Sequence, residues 1–375
     1  MANLLKRLLG RERTAEPLPS FPERIGAAAA IDTRRVHFAF ATPYARQLVN
    51  LARVARRLEA RGYDVTLVSC HEFTTRGDAA ETLAREPLDA VGLRGFLAGE
   101  RPPDVLVVMN DVGAVTSRLV ELARRSDVVT VGLTNLVLNL AEGRDHYRKV
   151  DHVLAAGRYI EETLGRSGIR AVGFPELDEL VTREPRFPDR PLVVLNSKTR
   201  GKHHGGRKRA VELRDEWLET TGRACRDLDV DLVVSRHPRD EGKLGRWPIS
   251  REPFKDLLAR GTIAVSPPSG VLLEAMALGV PVVCHRALPL SPKESPSFDE
   301  PLGAFRVTTS GGEFRDALAE ALTWVGDYRR RCAAFFGRHV AWDGVRSMTD
   351  VAADALIDLL PASRREPARP SAEEP

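Results

Sequence analysis

Lysine is scarce in this chain. Eight of the 56 basic residues are lysine and the rest are arginine, set against 52 acidic residues. The formal net charge of +4 is a small difference between two large numbers, so no nucleic-acid partner is expected. Cysteine is scarcer. Cys70, Cys225, Cys284 and Cys332 are widely spaced and form no Cys-x-x-Cys. Cys70 and Cys284 lie at the ends of apolar strands, where cysteine acts as a small buried hydrophobe. This pattern excludes a disulfide framework and points to a reducing, cytoplasmic setting. No apolar run approaches the roughly 20 residues of a membrane span. No apolar h-region precedes a cleavage site, so no secretory signal is expected.

Common cofactor motifs are missing as well. "KTRGKHHGGRKR" has glycines and lysines but no Gly-Lys-Ser/Thr, so it is not a Walker loop. "DLD" at Asp227–Asp229 imitates a metal-binding Asp-x-Asp but precedes its strand, at the wrong end of a sheet. His203 and His204 are adjacent, where a metal needs separated ligands. Neither a metal nor a cofactor is expected.

What remains is an ordinary globular composition, 43% hydrophobic and 29% charged, in a chain of 375 residues, enough for two domains. "MANLLKRLLGRER" sets Leu4, Leu5, Leu8 and Leu9 on one helical face among basic residues. Such a helix, within residues 1–13, can lie on an anionic membrane surface. With its Pro-rich connector it forms a segment over 1–32.

From 33 to 181 apolar strands alternate with helices: "RVHFAFAT", a helix Arg46–Arg61, "YDVTLVS", "DVLVVMND", a helix Val115–Arg125, "VVTVGL" and "HVLAAG". Strands apolar nearly throughout imply parallel sheets covered on both faces. The Pro-rich linker Thr182–Pro191 separates this half from a second alternation over 191–345. That half contains "LVVLNS", a helix Arg207–Leu228, "DLVVSRHP", "TIAVSPPSG", a helix Val271–Leu278 and "PVVCH". A C-terminal helix and a tail occupy 346–375. The expected fold class is α/β, two Rossmann-like domains facing across a cleft.

Ligands of doubly wound sheets bind outside the carboxyl ends of the strands. Those ends carry Asn196, Ser197, Lys198, Thr199 and Arg200; then Arg236 and His237; then Ser266, Ser269 and Gly270. Together they outline an anion site. In "SPPSGVLLEAMALG" the helix opening at Gly270 offers amides and a positive dipole end to a phosphate. Ser269 can cap the helix, Ser266 can add a hydroxyl, and Glu274, one turn in, can reach a pair of ribose hydroxyls. His237, flanked by Arg236, can donate a hydrogen bond or a proton to a leaving phosphate.

The series strand, "HP", serine-containing turn and "G-x-x-x-E-A-x-x-x-G-x-P-V" resembles the nucleotide-binding domain of the GT-B superfamily. It is most similar to bacterial surface-polymer transferases that use cytidine nucleotides: glycerophosphotransferases of teichoic acid synthesis, and sialyltransferase and capsule enzymes. "NSKTRG" resembles the Thr-x-Arg segment opening that domain, and "GFPELD" the segment near the domain junction. Two departures stand out: the family's paired serines are split into Ser266 and Ser269 by two prolines, and a two-glutamate motif is reduced to Glu274.

The resemblance implies transfer of a glycosyl or glycerophosphoryl group from a CDP- or CMP-linked donor to a polymer or lipid-linked acceptor. Ser197, Thr199, Arg200, Arg236, Ser266, Ser269, Gly270 and Glu274 would bind the donor and His237 would act in catalysis. Asp111, at the end of "VLVVMND", is the candidate general base. A UDP-sugar 2-epimerase and a non-catalytic nucleotide- or polymer-binding protein are the alternatives with the same architecture.

Overall fold

A computed structural model describes residues 35–70, 88–99, 102–109, 111, 114–135, 146–197, 207–237, 240, 247–250, 252–286 and 301–365. Residues 1–13, and with them the amphipathic segment, lie outside this set.

The first sheet is built from β1 (His37–Thr42), β2 (Asp64–Ser69), β3 (Ala90–Gly92), β4 (Val105–Val108), β5 (Val129–Leu133), β6 (His152–Ala155) and β7 (Ile169–Ala171), in the order β3-β2-β1-β4-β5-β6-β7. The second contains β8 (Leu192–Asn196), β9 (Asp231–Ser235), β10 (Ile249–Ser250), β11 (Ile263–Ser266), β12 (Val282–His285) and β13 (Arg306–Thr308), in the order β10-β9-β8-β11-β12-β13. All five pairings of the second sheet are parallel. In both sheets the order runs outward from the first strand and then restarts on its other side. This is the Rossmann order, with its switch point between β1 and β4 and again between β8 and β11.

The strands form because they are buried on both faces. Phe38 to Ala41, Val105 to Val108 and Val193 to Leu195 are all fully covered. The helix Ala45–Glu59 presents Leu48, Leu51, Ala52, Ala55 and Leu58 as one buried stripe. Beyond it Gly62 takes φ 87°, the left-handed conformation that lets the chain reverse into β2. The helix Val271–Leu278 has the bounds that its periodicity predicts. The last helix is Met348–Asp358. Asp178 of "GFPELD" fixes its start. Its carboxylate accepts the N–H groups of Met348 at 2.6 Å and Thr349 at 3.0 Å, and so caps that helix from a distant part of the chain.

By packing, the chain divides into two compact units. One comprises 1–132, 147–152 and 358–375; the other comprises 133–146 and 153–357. In the first unit, Asp104 at the start of β4 pairs with Arg364 at 2.9 Å, and the Tyr63 hydroxyl donates to the Arg365 carbonyl. The second unit holds an apolar cluster of Val193, Leu195, Trp217, Leu218, Val265 and Phe314 between the helices Arg207–Asp227 and Gly311–Thr323 and the sheet. Among the described residues no helix is long and apolar enough to cross a membrane.

In the first unit, Tyr147 packs against the end of β5. This residue is fully buried at φ 61°; its hydroxyl donates to the Met109 carbonyl at 2.5 Å and its ring stands against Gly132. A Cβ at position 132 would sit 2.3 Å from the ring. The Tyr147 N–H is bound to Asp111, so the ring is held from both ends. Gly132→Ala is therefore expected to lower the unfolding free energy by about 1–3 kcal/mol, the usual cost of forced overpacking. Urea titration measures it, and an unchanged midpoint would mean that the ring yields freely.

Candidate functional site

Four neighbouring strands of the second sheet, β9, β8, β11 and β12, end on the same edge because they are parallel. Register places Asn196 beside Ser235 and Ser266 beside Cys284. The residues that follow, Arg236 and His237, Ser197, the Ser-Pro-Pro-Ser-Gly turn and Arg286, are therefore ranged along one edge. Three inter-strand spacings make that edge roughly 14 Å wide, the scale of a nucleoside diphosphate.

The predicted residues on this edge fall into two groups. Ser197 and Ser266 are fully buried. The Ser197 Oγ accepts the His237 N–H at 3.0 Å. Ser266 Oγ accepts from Asn196 Nδ2 at 3.2 Å and donates to the Pro267 carbonyl at 2.8 Å. These two hydroxyls support the turns from inside. The other group reaches solvent. Arg236 is exposed, and His237, Gly270 and Glu274 are half-buried. Ser269, beside them at the mouth of the helix, is buried, with 7% exposure. Thr199 and Arg200 lie outside the described residues, so the structure adds nothing to their reading.

The helix Val271–Leu278 begins at Gly270, which has αR geometry and no side chain to cap with. Its first turn is closed by backbone instead. Leu272 N–H donates to the Ser269 carbonyl at 3.0 Å, and Leu273 and Glu274 N–H donate to Gly270 at 2.9 and 3.2 Å. The amides ahead of them, Gly270 and Val271, take no part in this closure, as is usual for the first amides of a helix. Leu272, Leu273 and Met276 face the core while Glu274 stays at the surface. Gly279, at φ 85°, ends the helix, and Arg329 Nη2 donates to the Leu278 carbonyl at 2.9 Å.

Arg236 and His237 are shaped by a residue that sequence reading passed over. Asp240 accepts Nε and Nη2 of Arg236 on its carbonyl, at 3.0 and 2.9 Å, and its N–H donates to the His237 carbonyl at 2.8 Å. The Asp240 carboxylate is buried against Arg214. A signal was present: Arg214 occupies the same helical stripe as the buried Leu218, Thr221 and Cys225. A charge on an apolar stripe announces a buried partner.

Asp111 belongs to the first unit and is 1% exposed. Its Oδ1 accepts the Tyr147 N–H at 2.6 Å and its Oδ2 the Lys149 N–H at 3.2 Å. Both oxygens bind backbone N–H groups, so the carboxylate anchors Tyr147 and Lys149.

His285 closes β12 in a buried aromatic stack. Its ring lies on Trp217 with centroids 4.3 Å apart and planes 6° apart, and Nδ1 is 2.8 Å from Thr308 Oγ1. Burial pushes its pKa down to about 4, and the nearby Glu313 opposes the shift weakly.

No protein-family model matches the chain, and no curated protein matches it. Solved structures do. A UDP-GlcNAc 2-epimerase from Methanocaldococcus jannaschii, solved with UDP-GlcNAc and UDP, is similar with TM-score 0.53 and 15% identity over 80% of this chain and 98% of that one. The glycotransferase of kitacinnamycin aligns with TM-score 0.57 and 16% identity over 88% and 100%. The wall teichoic acid polymerase TagF, solved with CDPG, aligns with TM-score 0.52 and 11% identity over 88% and 90%. The fold is of GT-B type. At these identities the likeness carries architecture alone.

The His285 geometry has a measurable consequence. In the unfolded chain its imidazole titrates near 6.5, against about 4 when folded. As pH falls from 6.5 toward 4 the unfolded chain gains a proton that the folded chain refuses, so stability present above pH 6.5 is lost through this window. Denaturant titrations at about pH 7 and about pH 4.5 are expected to show a drop smaller by ~2 kcal/mol in His285→Gln than in wild type. Equal drops would show that the imidazole is solvated in the folded protein.

Proposed function

We propose that the chain is a transferase that moves a glycosyl or glycerophosphoryl group from a nucleotide-activated donor, CDP- or CMP-linked, to a polysaccharide or teichoic-acid-like acceptor at the cell surface. The observation that carries this reading is the carboxyl edge of the second sheet. There an exposed arginine and a half-buried histidine follow β9, and a Ser-Gly helix mouth with a glutamate one turn in follows β11, on either side of β8 at the switch point.

The amides of Gly270 and Val271, with Ser269, would take a phosphate. Arg236 and His237 would stabilise the charge that grows on the departing phosphate, with His237 able to deliver a proton. Glu274 would hold the ribose hydroxyls. Ser197 and Ser266 would serve the donor indirectly, by fixing the loops that touch it. Thr199 and Arg200 are kept as donor contacts on the strength of their motif. The acceptor would be bound by the first half of the chain, and residues 1–13 would hold the enzyme against the inner face of the plasma membrane. Asp111 is kept as the candidate general base.

A second reading is supported by the epimerase likeness, since UDP-GlcNAc 2-epimerase is among the similar structures. It differs in its product: epimerised sugar nucleotide or free UDP, with no acceptor.

A thermal-shift panel of CMP, CDP, UDP, GDP and ADP at equal concentration separates these readings, because a ligand that binds the folded state raises its stability by mass action. CDP or CMP is expected to give the largest shift, and the shift is expected to shrink in Ser269→Ala and Glu274→Ala. A preference for UDP would favour the epimerase or a sugar-nucleotide transferase. A purine preference would overturn the substrate class, and no shift with any nucleotide would remove the proposal.

His237→Ala gives the second check. Turnover is expected to fall by roughly two to four orders of magnitude, with little change in melting temperature. A near wild-type rate would return His237 to a scaffolding role.

A further inference from the structure

One charged pair of the second unit has no place in the proposed chemistry. The Arg214 side chain is 0% exposed and that of Asp240 is 1% exposed, with Nη1 2.5 Å from Oδ1. Arg214 Nε and Nη2 also lie 3.0 and 2.7 Å from Oδ1 of the more exposed Asp215. A buried ion pair is a poor stabiliser, because desolvation of both charges offsets their attraction and an apolar pair of similar volume does as well or better. Stability alone does not account for placing these charges beneath the edge of the sheet.

Their connections suggest a different role. Asp240 is the residue around which the end of β9 is organised. Its carbonyl takes two N–H groups of Arg236, and its own N–H is bound to the His237 carbonyl. His237 in turn is tied by its N–H to the buried Ser197. With its carboxylate fixed by Arg214, the Asp240 backbone cannot slide, and neither can the two residues that lean on it. The guanidinium is suited to this task because it can hold two carboxylates in one plane, Asp240 inside and Asp215 outside.

We propose that Arg214 is a positioning residue. Acting through the Asp240 carboxylate, it holds Arg236 and His237 in the arrangement that meets the phosphates of a nucleotide. This role rests on reading the edge of the second sheet as a nucleotide site.

The test uses the full chain and four variants: Arg214→Met, Asp240→Leu, the double variant, and Arg214→Lys. Arg214→Met deprives the buried Asp240 carboxylate of its guanidinium, and Asp240→Leu leaves Arg214 only the more exposed Asp215. Both are expected to melt below wild type, the first by more, while the double variant recovers most of the loss. Nucleotide affinity is not expected to recover with it. By calorimetry, the Kd of whichever of CDP and UDP binds wild type more tightly should be weaker by about tenfold or more in the double variant. Without nucleotide, the His237 amide should exchange with solvent faster in the double variant than in wild type.

If the double variant does not fold, Arg214→Lys replaces it. Its single ammonium retains the charge but not the two-sided fork, so a wild-type melt with weakened binding and faster His237 exchange is expected. Undiminished affinity and unchanged exchange in a folded variant would overturn the positioning role alone. Wild-type protein that binds neither nucleotide would instead overturn the nucleotide reading, and the positioning role with it.

Discussion

The parallel pairing of β8 with β11 is the constraint on which the second unit's chemistry depends. Val193, Val194 and Leu195 lie in register with Ile263, Ala264 and Val265, so both strands run out at the same level. Because β9 continues the sheet on one side and β12 on the other, the connections leaving β8 and β11 diverge. A switch point of this kind is where the ligands of doubly wound sheets bind. Asn196, donating to Ser266 across this pair, ties the two ends together just below the opening.

Polar residues near this edge do two kinds of work, and burial separates them. Asn196, Ser197, Ser235 and Ser266 are covered and bonded within the protein, where an unpaired group would be costly. They make the ends of the strands rigid. Arg236, His237, Gly270 and Glu274 stand above them with access to solvent. A rigid lower row beneath an accessible upper row is a sensible arrangement for holding a charged ligand, since electrostatic stabilisation depends on groups that need not reorganise.

Much of this was legible in the amino-acid sequence, and what was not has a physical reason. The long strands and helices announced themselves because apolar runs buried on both faces differ plainly from stripes with helical spacing. Elements of two or three residues, such as β3, β10 and β13, are too short to show any period. At the site, the rule that ligands meet the carboxyl ends of strands located His237, Ser269 and Glu274. It did not tell covered residues from accessible ones: Ser266 in "SPPSG" is fully buried and bonded within its turn, while Gly270 at the end of the same stretch is half-buried. Arg214 and Asp240 were missed because they meet across a strand and a helix. The bonds of Asp111 to Tyr147 and Lys149 were not legible because those residues come from a segment far along the chain.

The contact between Asp104 and Arg364 bears on how the protein is made. These residues are separated by 260 positions, yet both belong to the first compact unit. On a ribosome adding about 5–20 residues per second, Asp104 emerges roughly 13–50 s before its partner exists. Throughout that interval the edge of the first sheet that receives the C-terminal segment is incomplete, while the whole of the second unit is being synthesised. The protein's first-made strands are thus among the last to have all their native contacts, and a nascent chain is exposed there for most of its synthesis.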